Sequence, residues 1–191
     1  MRRRGGANSL LLTSSKYSGK RLDEVAKQLG KPPIEAALDV IKQGGAGVAS
    51  FNMNERDIEA FMRQPWVMTG SDGSDGHPRK YGTYPRKLAE YVLQRQVISL
   101  PRFIQASSAQ VAETFGIKER GNLKMGSYAD VIIFAEKECR ELATYEAPEK
   151  LAAGMRYVIV NGKLAITDSK ATKTLAGRAL RKTRSVSVAR P

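Results

Sequence analysis

The chain has 191 residues, 41% of them hydrophobic, with 32 Lys and Arg against 19 Asp and Glu. That length suits one good-sized domain or two small ones, and the apolar content excludes wholesale disorder. One cysteine, Cys139, and one histidine, His77, exclude an intrachain disulfide framework and any metal site built from two or more histidines of this chain.

The net charge of +13 is concentrated at the ends. Residues 1–20 carry Arg2, Arg3, Arg4, Lys16 and Lys20, with no acid. Residues 170–191 carry Lys170, Lys173, Arg178, Arg181, Lys182, Arg184 and Arg190, also with no acid. These five and seven residues account for twelve of the thirteen net charges, so the body is nearly neutral. Both ends are poor in aromatics that could stack on bases. Solvated tails are therefore favoured over nucleic-acid contact. Leu10-Leu11-Leu12 is too short for the apolar region of a signal peptide, and no run of about 18 apolar residues marks a transmembrane helix. A lone cysteine fits a reducing compartment, and the cytoplasm is expected.

In chain order, Leu10 to Thr13 is a short apolar run suited to a strand. Leu22, Val25, Ala26 and Leu29 keep helical spacing up to Gly30. Pro32-Pro33 opens a second helix carrying Ile34, Ala37, Leu38 and Ile41, which Gly44-Gly45 ends. Gly47 to Met53 reads as a strand. Asn54 can cap a helix through Phe61-Met62, with Glu55 and Asp57 in its first turn. Trp66 to Thr69 reads as another strand, running into the polar loop Gly70 to Pro78. Helices are expected over Pro85 to Arg95, and from Ser99-Leu100-Pro101 to about Phe115. This alternation is the grammar of parallel α/β units. The texture changes near residue 115. Ala129 to Phe134 reads as a buried strand, and Arg156 to Ile166 as a hairpin about Asn161-Gly162. The tail from Lys170 has little core material.

The loop after Thr69 holds the chemistry candidates, because parallel α/β folds gather function at the carboxyl ends of strands. Asp72 can ligate a metal or act as a base on metal-bound water; it can equally close an Asx turn before Gly73. Arg79 can grip a carboxylate in bidentate fashion, or pair with a local acid. His77 suits either proton transfer or a plain loop position. Met53 can line an apolar pocket or fill core. Cys139 has no His or Cys neighbour in sequence and reads as non-catalytic.

Three blocks carry a resemblance. They are Phe51 to Asp57, Pro65 to Gly73, and His77-Pro78-Arg79-Lys80-Tyr81-Gly82-Thr83-Tyr84-Pro85-Arg86. Gly126-Ser127-Tyr128-Ala129-Asp130-Val131 and Gly154 to Gly162 agree with them, as does Gly177-Arg178. Together they resemble the D-aminoacylase (N-acyl-D-amino-acid deacylase) family of the amidohydrolase superfamily, from about residue 18 to residue 181.

The resemblance implies an α/β fold: the C-terminal part of a (β/α)8 metal-dependent hydrolase barrel over residues 1–115, then a β-rich segment of a small β-sandwich domain over 116–191. It also implies a zinc-dependent hydrolase of linear amides that turns an N-acyl-D-amino acid into a carboxylate and a D-amino acid. Gly47 to Met53 and Trp66 to Thr69 correspond to the seventh and eighth barrel strands. Asp72 matches the catalytic aspartate, which takes a proton from zinc-activated water and delivers it to the leaving amine. It is also the one metal-ligand candidate in this chain. Arg79 matches the arginine that holds the substrate α-carboxylate, and Met53 a methionine lining the side-chain pocket. The family's cysteine and histidine zinc ligands lie on earlier strands that this chain lacks, and a full barrel needs ~250 residues. The chain is therefore expected to be inactive alone, marginally stable or aggregating, or paired with a partner chain that completes the barrel. Two other functions stay open: a non-catalytic interaction module, and a nucleic-acid binder using the basic ends.

Overall fold

The computed structural model describes residues 5–181. Of the basic ends, Arg2, Arg3, Arg4, Lys182, Arg184 and Arg190 lie outside the described residues. The chain divides into two compact units. One holds the chain up to Met62, Ser71–Gly82 and Ala143–Leu151; the other holds Arg63–Gly70, Thr83–Leu142 and Ala152 onward. No helix among the described residues is long and apolar enough to cross a membrane.

In the first unit, β1 (Leu10–Leu12) and β2 (Val48–Ser50) form a two-stranded sheet, with Leu10 opposite Ser50 and Leu12 opposite Val48. The pair is antiparallel, whereas the helix–strand alternation has the grammar of parallel units, and β2 covers only Val48–Ser50 of the Gly47–Met53 run. The sheet is backed by α1 (Leu22–Leu29) and α2 (Pro33–Lys42). Val25 and Ala36 are fully buried, with Leu12, Tyr17, Leu22, Ala26 and Val40 around them. Gly30 ends α1 at φ 63°, a left-handed C-terminal position that glycine adopts without strain. Asn54 caps α3 (Glu55–Met62) as the spacing predicts, its Oδ1 accepting the Arg56 N–H at 2.9 Å.

Trp66 to Thr69 is not a strand. Its backbone groups find partners elsewhere in the second unit. The Arg102 guanidinium donates to the carbonyls of Gln64, Pro65 and Val67, and the Thr69 N–H donates to the Ala106 carbonyl at 3.0 Å. A segment satisfied in this way has no need of a ladder.

α4 (Arg79–Arg86) begins well before the expected start at Pro85, which sits inside its last turn. Proline removes a donor and crowds the preceding turn. The chain then widens into π-helical turns over Lys87–Gln94. The expected helix to Phe115 is two helices, α5 (Leu100–Ser107) and α6 (Ala109–Phe115), broken at Ser108, where φ −139° and ψ −80° leave the helical region.

The β-rich part is a four-stranded antiparallel sheet in the order β3 (Val131–Phe134), β4 (Met155–Val160), β5 (Lys163–Thr167) and β6 (Lys170–Ala171). Asn161 and Gly162, at φ 50° and 77°, make the β4–β5 turn with both residues left-handed, as Asn-Gly favours. β6 adds a strand in the segment read as tail. It follows a second left-handed pair, Asp168 and Ser169 at φ 46° and 63°.

Candidate functional site

Two of the expected site residues meet in the first unit. The Asp72 carboxylate lies 3.0 Å from the Arg79 guanidinium, with the Asp72 side chain 89% exposed. The alternative reading of Asp72 as an Asx-turn residue is not what forms. Ser71 makes the local turn, its Oγ accepting the Gly73 N–H at 3.3 Å, while the Asp72 carboxylate reaches Arg79. Asp72 sits at φ 44°, a backbone region that costs a non-glycine residue about 1–2 kcal/mol. Gly73 packs closely against Lys80: a Cβ there would lie 3.1 Å from the Lys80 Cα. Lys80 itself pairs with Asp75 at 2.5 Å, which holds the Asp75 carboxyl below its usual range. The loop is thus tied back to the start of α4 by two ion pairs.

Arg79 is the first residue of α4, so its N–H is one of the amides that a helix leaves without a backbone partner. His77 supplies one: Nδ1 accepts the Arg79 N–H at 3.1 Å. On the far side of the ring, Nε2 stands 3.3 Å from the Tyr145 hydroxyl. The Tyr145 ring meets the His77 ring edge-on at 5.1 Å and the Phe51 ring at 5.5 Å. The Arg21 guanidinium lies over the opposite part of that stack, 5.1 Å from the Phe51 centroid. Burial pushes the His77 imidazole below its ordinary value. The nearby Arg79 adds to this, and Asp72 opposes it. The ring is therefore neutral at pH 7, as an acceptor at Nδ1 requires.

Met53 lies beyond the end of β2 and is 76% exposed. Tyr145 was not anticipated from the sequence, where nothing in Thr144-Tyr145-Glu146 marks it. In the second unit, Thr69 is buried, and its Oγ1 is met by the Lys87 ammonium and the Ser107 hydroxyl, each at 2.9 Å. Burial, and then Arg102, lowers the Lys87 ammonium from its usual range. This group anchors the segment that leads into the Asp72 loop.

The described residues do not fit a zinc site. No three His, Cys, Asp or Glu side chains among them cluster as ligands. Both His77 nitrogens face partners within the fold. Cys139 is buried and its thiol is pushed up, away from the thiolate that binds metal.

The profile of the amidohydrolase family matches residues 3–166. A D-aminoacylase of Alcaligenes xylosoxydans xylosoxydans is 34% identical over 170 residues, which are 87% of this chain and 34% of that protein. Among solved structures, a D-aminoacylase with a binuclear metal centre superimposes with a TM-score of 0.82 at 32% identity, covering 91% of this chain and 38% of its own. The N-acyl-D-glutamate deacylase of Bordetella bronchiseptica was solved with zinc and a phosphonate mimic of the tetrahedral intermediate. It superimposes with a TM-score of 0.78 at 28% identity, covering 92% and 39%. The chain spans about a third of the length of the curated relatives it matches.

Proposed function

The chain belongs to the amidohydrolase family, and on that footing we propose that it is the carboxyl-terminal portion of an N-acyl-D-amino-acid deacylase. Residues 1–115 are then the closing part of the barrel, and 116–191 a β-rich part of the small domain. The observation that carries the reading is the contact of Asp72 with Arg79. In an N-acyl amino acid the scissile nitrogen and the carboxylate are joined through one α-carbon. An anion receptor and a proton carrier for that nitrogen must therefore be neighbours. An aspartate 3.0 Å from an arginine meets that requirement.

In this arrangement Asp72 occupies the receptor. A substrate carboxylate displaces it, forming the bidentate pair with Arg79 that guanidinium geometry favours. Asp72 is then free to accept a proton from water as the water oxygen bonds to the acyl carbon. It returns that proton to the nitrogen as the C–N bond breaks. Met53 borders the substrate side chain in the same reading. Zinc is the cofactor the resemblance implies. The described residues furnish no ligand set for it, and no step above rests on it. A partner chain that completes the barrel belongs to the same proposal, as does a cytoplasmic location.

The test is a chimera in which this chain replaces the corresponding third of a D-aminoacylase, assayed with N-acetyl-D-methionine and its L enantiomer beside the 191-residue chain alone. The expected result is hydrolysis of the D substrate by the chimera, and neither zinc nor hydrolysis in the isolated chain. A folded, zinc-loaded chimera that cleaves neither enantiomer overturns the deacylase reading. Stoichiometric zinc with turnover in the isolated chain overturns the fragment reading.

A further inference from the structure

The structure assigns Tyr145 and His77 as a positioning pair for Arg79. The imidazole clamps the first amide of α4, and the tyrosine hydroxyl fixes the imidazole. The argument starts from hydrogen-bond valence. A neutral imidazole has one donor and one acceptor nitrogen. Nδ1 faces the Arg79 N–H at 3.1 Å and must accept. The proton therefore resides on Nε2, which faces the Tyr145 hydroxyl oxygen at 3.3 Å and donates to it. The other tautomer would set an N–H against an N–H at Arg79.

The contact has a mechanical consequence. Arg79 opens α4, and the next helical amides, those of Lys80, Tyr81 and Gly82, are taken by the carbonyls of His77 and Pro78. The Arg79 amide has the imidazole instead. The ring thus fixes the backbone from which the guanidinium reaches Asp72. The ring cannot rotate freely, because Tyr145 meets it both edge-on at 5.1 Å and through the hydroxyl. Tyr145 is in turn packed on Phe51, just past β2. Tyr145 and His77 lie 68 positions apart in sequence, so the anion receptor is held by a segment distant from its own loop. This inference rests on the reading of Arg79 as a carboxylate receptor only in its kinetic part. The contact itself can be tested without activity.

His77 is the only histidine of the chain, so imidazole ¹⁵N spectra of the intact 191-residue chain report on it alone. The expected spectrum at pH 7.5 shows a protonated Nε2 and an acceptor Nδ1. Tyr145→Phe keeps the ring packing and removes the hydroxyl. It should speed solvent exchange of the Nε2 proton and admit the second tautomer. His77→Asn preserves an acceptor for the Arg79 amide; His77→Ala preserves none. In the chimera, Tyr145→Phe and His77→Ala should raise KM about five-fold, the equilibrium worth of one neutral hydrogen bond. His77→Asn should recover part of that loss, and kcat should change less than KM in all three. A wild-type Nδ1–H tautomer, or an imidazole spectrum untouched by Tyr145→Phe, overturns the assignment whether or not the chimera is active. A fall confined to kcat in an active chimera overturns the positioning of Arg79 while leaving the deacylase reading in place.

Discussion

The Asp72 carboxylate rests 3.0 Å from the Arg79 guanidinium although its side chain is 89% exposed. A pair so open to water contributes little to stability. Its place at the head of α4 bears on chemistry more than on folding. Asp72→Asn in the chimera should lower kcat about 10²–10⁴-fold, the range for loss of a general acid–base group. The melting temperature should stay unchanged. Steady-state kinetics beside thermal denaturation separates the two effects. A variant that keeps wild-type kcat removes Asp72 from proton transfer.

Asp72, His77 and Arg79 were legible only as loop residues open between a chemical and a plain structural role, the roles of Asp72 and Arg79 coming from the resemblance. The partner that holds His77 was not. Tyr145 lies in a segment with no periodicity or motif, and only the folded chain brings it within 3.3 Å of Nε2. The run Trp66 to Thr69 has strand composition, yet its Val67 carbonyl is taken by Arg102, its Thr69 carbonyl by the Tyr84 hydroxyl and its last amide by the Ala106 carbonyl. Composition records what a backbone could pair with, not what reaches it first. The Asn161-Gly162 turn was read correctly because glycine advertises a left-handed residue. The Asp168-Ser169 turn does the same work without glycine, so β6 was missed. The helix cap by Asn54 needed only local spacing and was found.

The half-buried, neutral His77 imposes a pH dependence whose sign follows from proton counting. Its folded value lies below the ordinary 6.5 because burial disfavours the charged ring. Between the unfolded and folded values the unfolded chain binds more protons. This contribution to stability is therefore complete above about pH 6.5 and is lost as pH falls through the folded value. Glu141, raised by burial, pulls the other way in acid. The comparison should therefore be between the wild type and His77→Asn, where Glu141 cancels. Between pH 7.5 and 5 the melting temperature of the wild type should fall further than that of His77→Asn. Parallel curves refute the claim.

Gly154 and Gly126 separate backbone strain from steric exclusion. Both adopt positive φ, 83° and 85°. A Cβ on Gly126 meets open space, whereas one on Gly154 would lie 2.6 Å from the backbone of Cys139. Gly126→Ala should cost about 1–2 kcal/mol from its backbone alone. Gly154→Ala adds a rigid backbone clash, worth about 1–3 kcal/mol more by the usual cost of overpacking. Denaturant midpoints of the two variants measure the difference. Equal losses would mean that the Cys139 segment yields freely.

The first unit leaves an apolar stripe in water. Ile34, Leu38 and Ile41 of α2 are 64%, 50% and 66% exposed, at spacings of four and three that put them on one helix face. Val48, at the start of β2, is 52% exposed. Isolated exposed apolar residues are ordinary, but a row on one face of a helix favours association. The purified chain should therefore sediment above its 21.0 kDa monomer mass. The double variant Leu38→Lys, Ile41→Lys should shift it toward monomer while the helical signal in circular dichroism is retained, because neither side chain is part of the buried core around Val25 and Ala36. Sedimentation velocity of both proteins at matched concentrations decides it. A wild-type chain that runs as a monodisperse monomer with a sharp cooperative melt would show that the stripe tolerates water and drives no pairing.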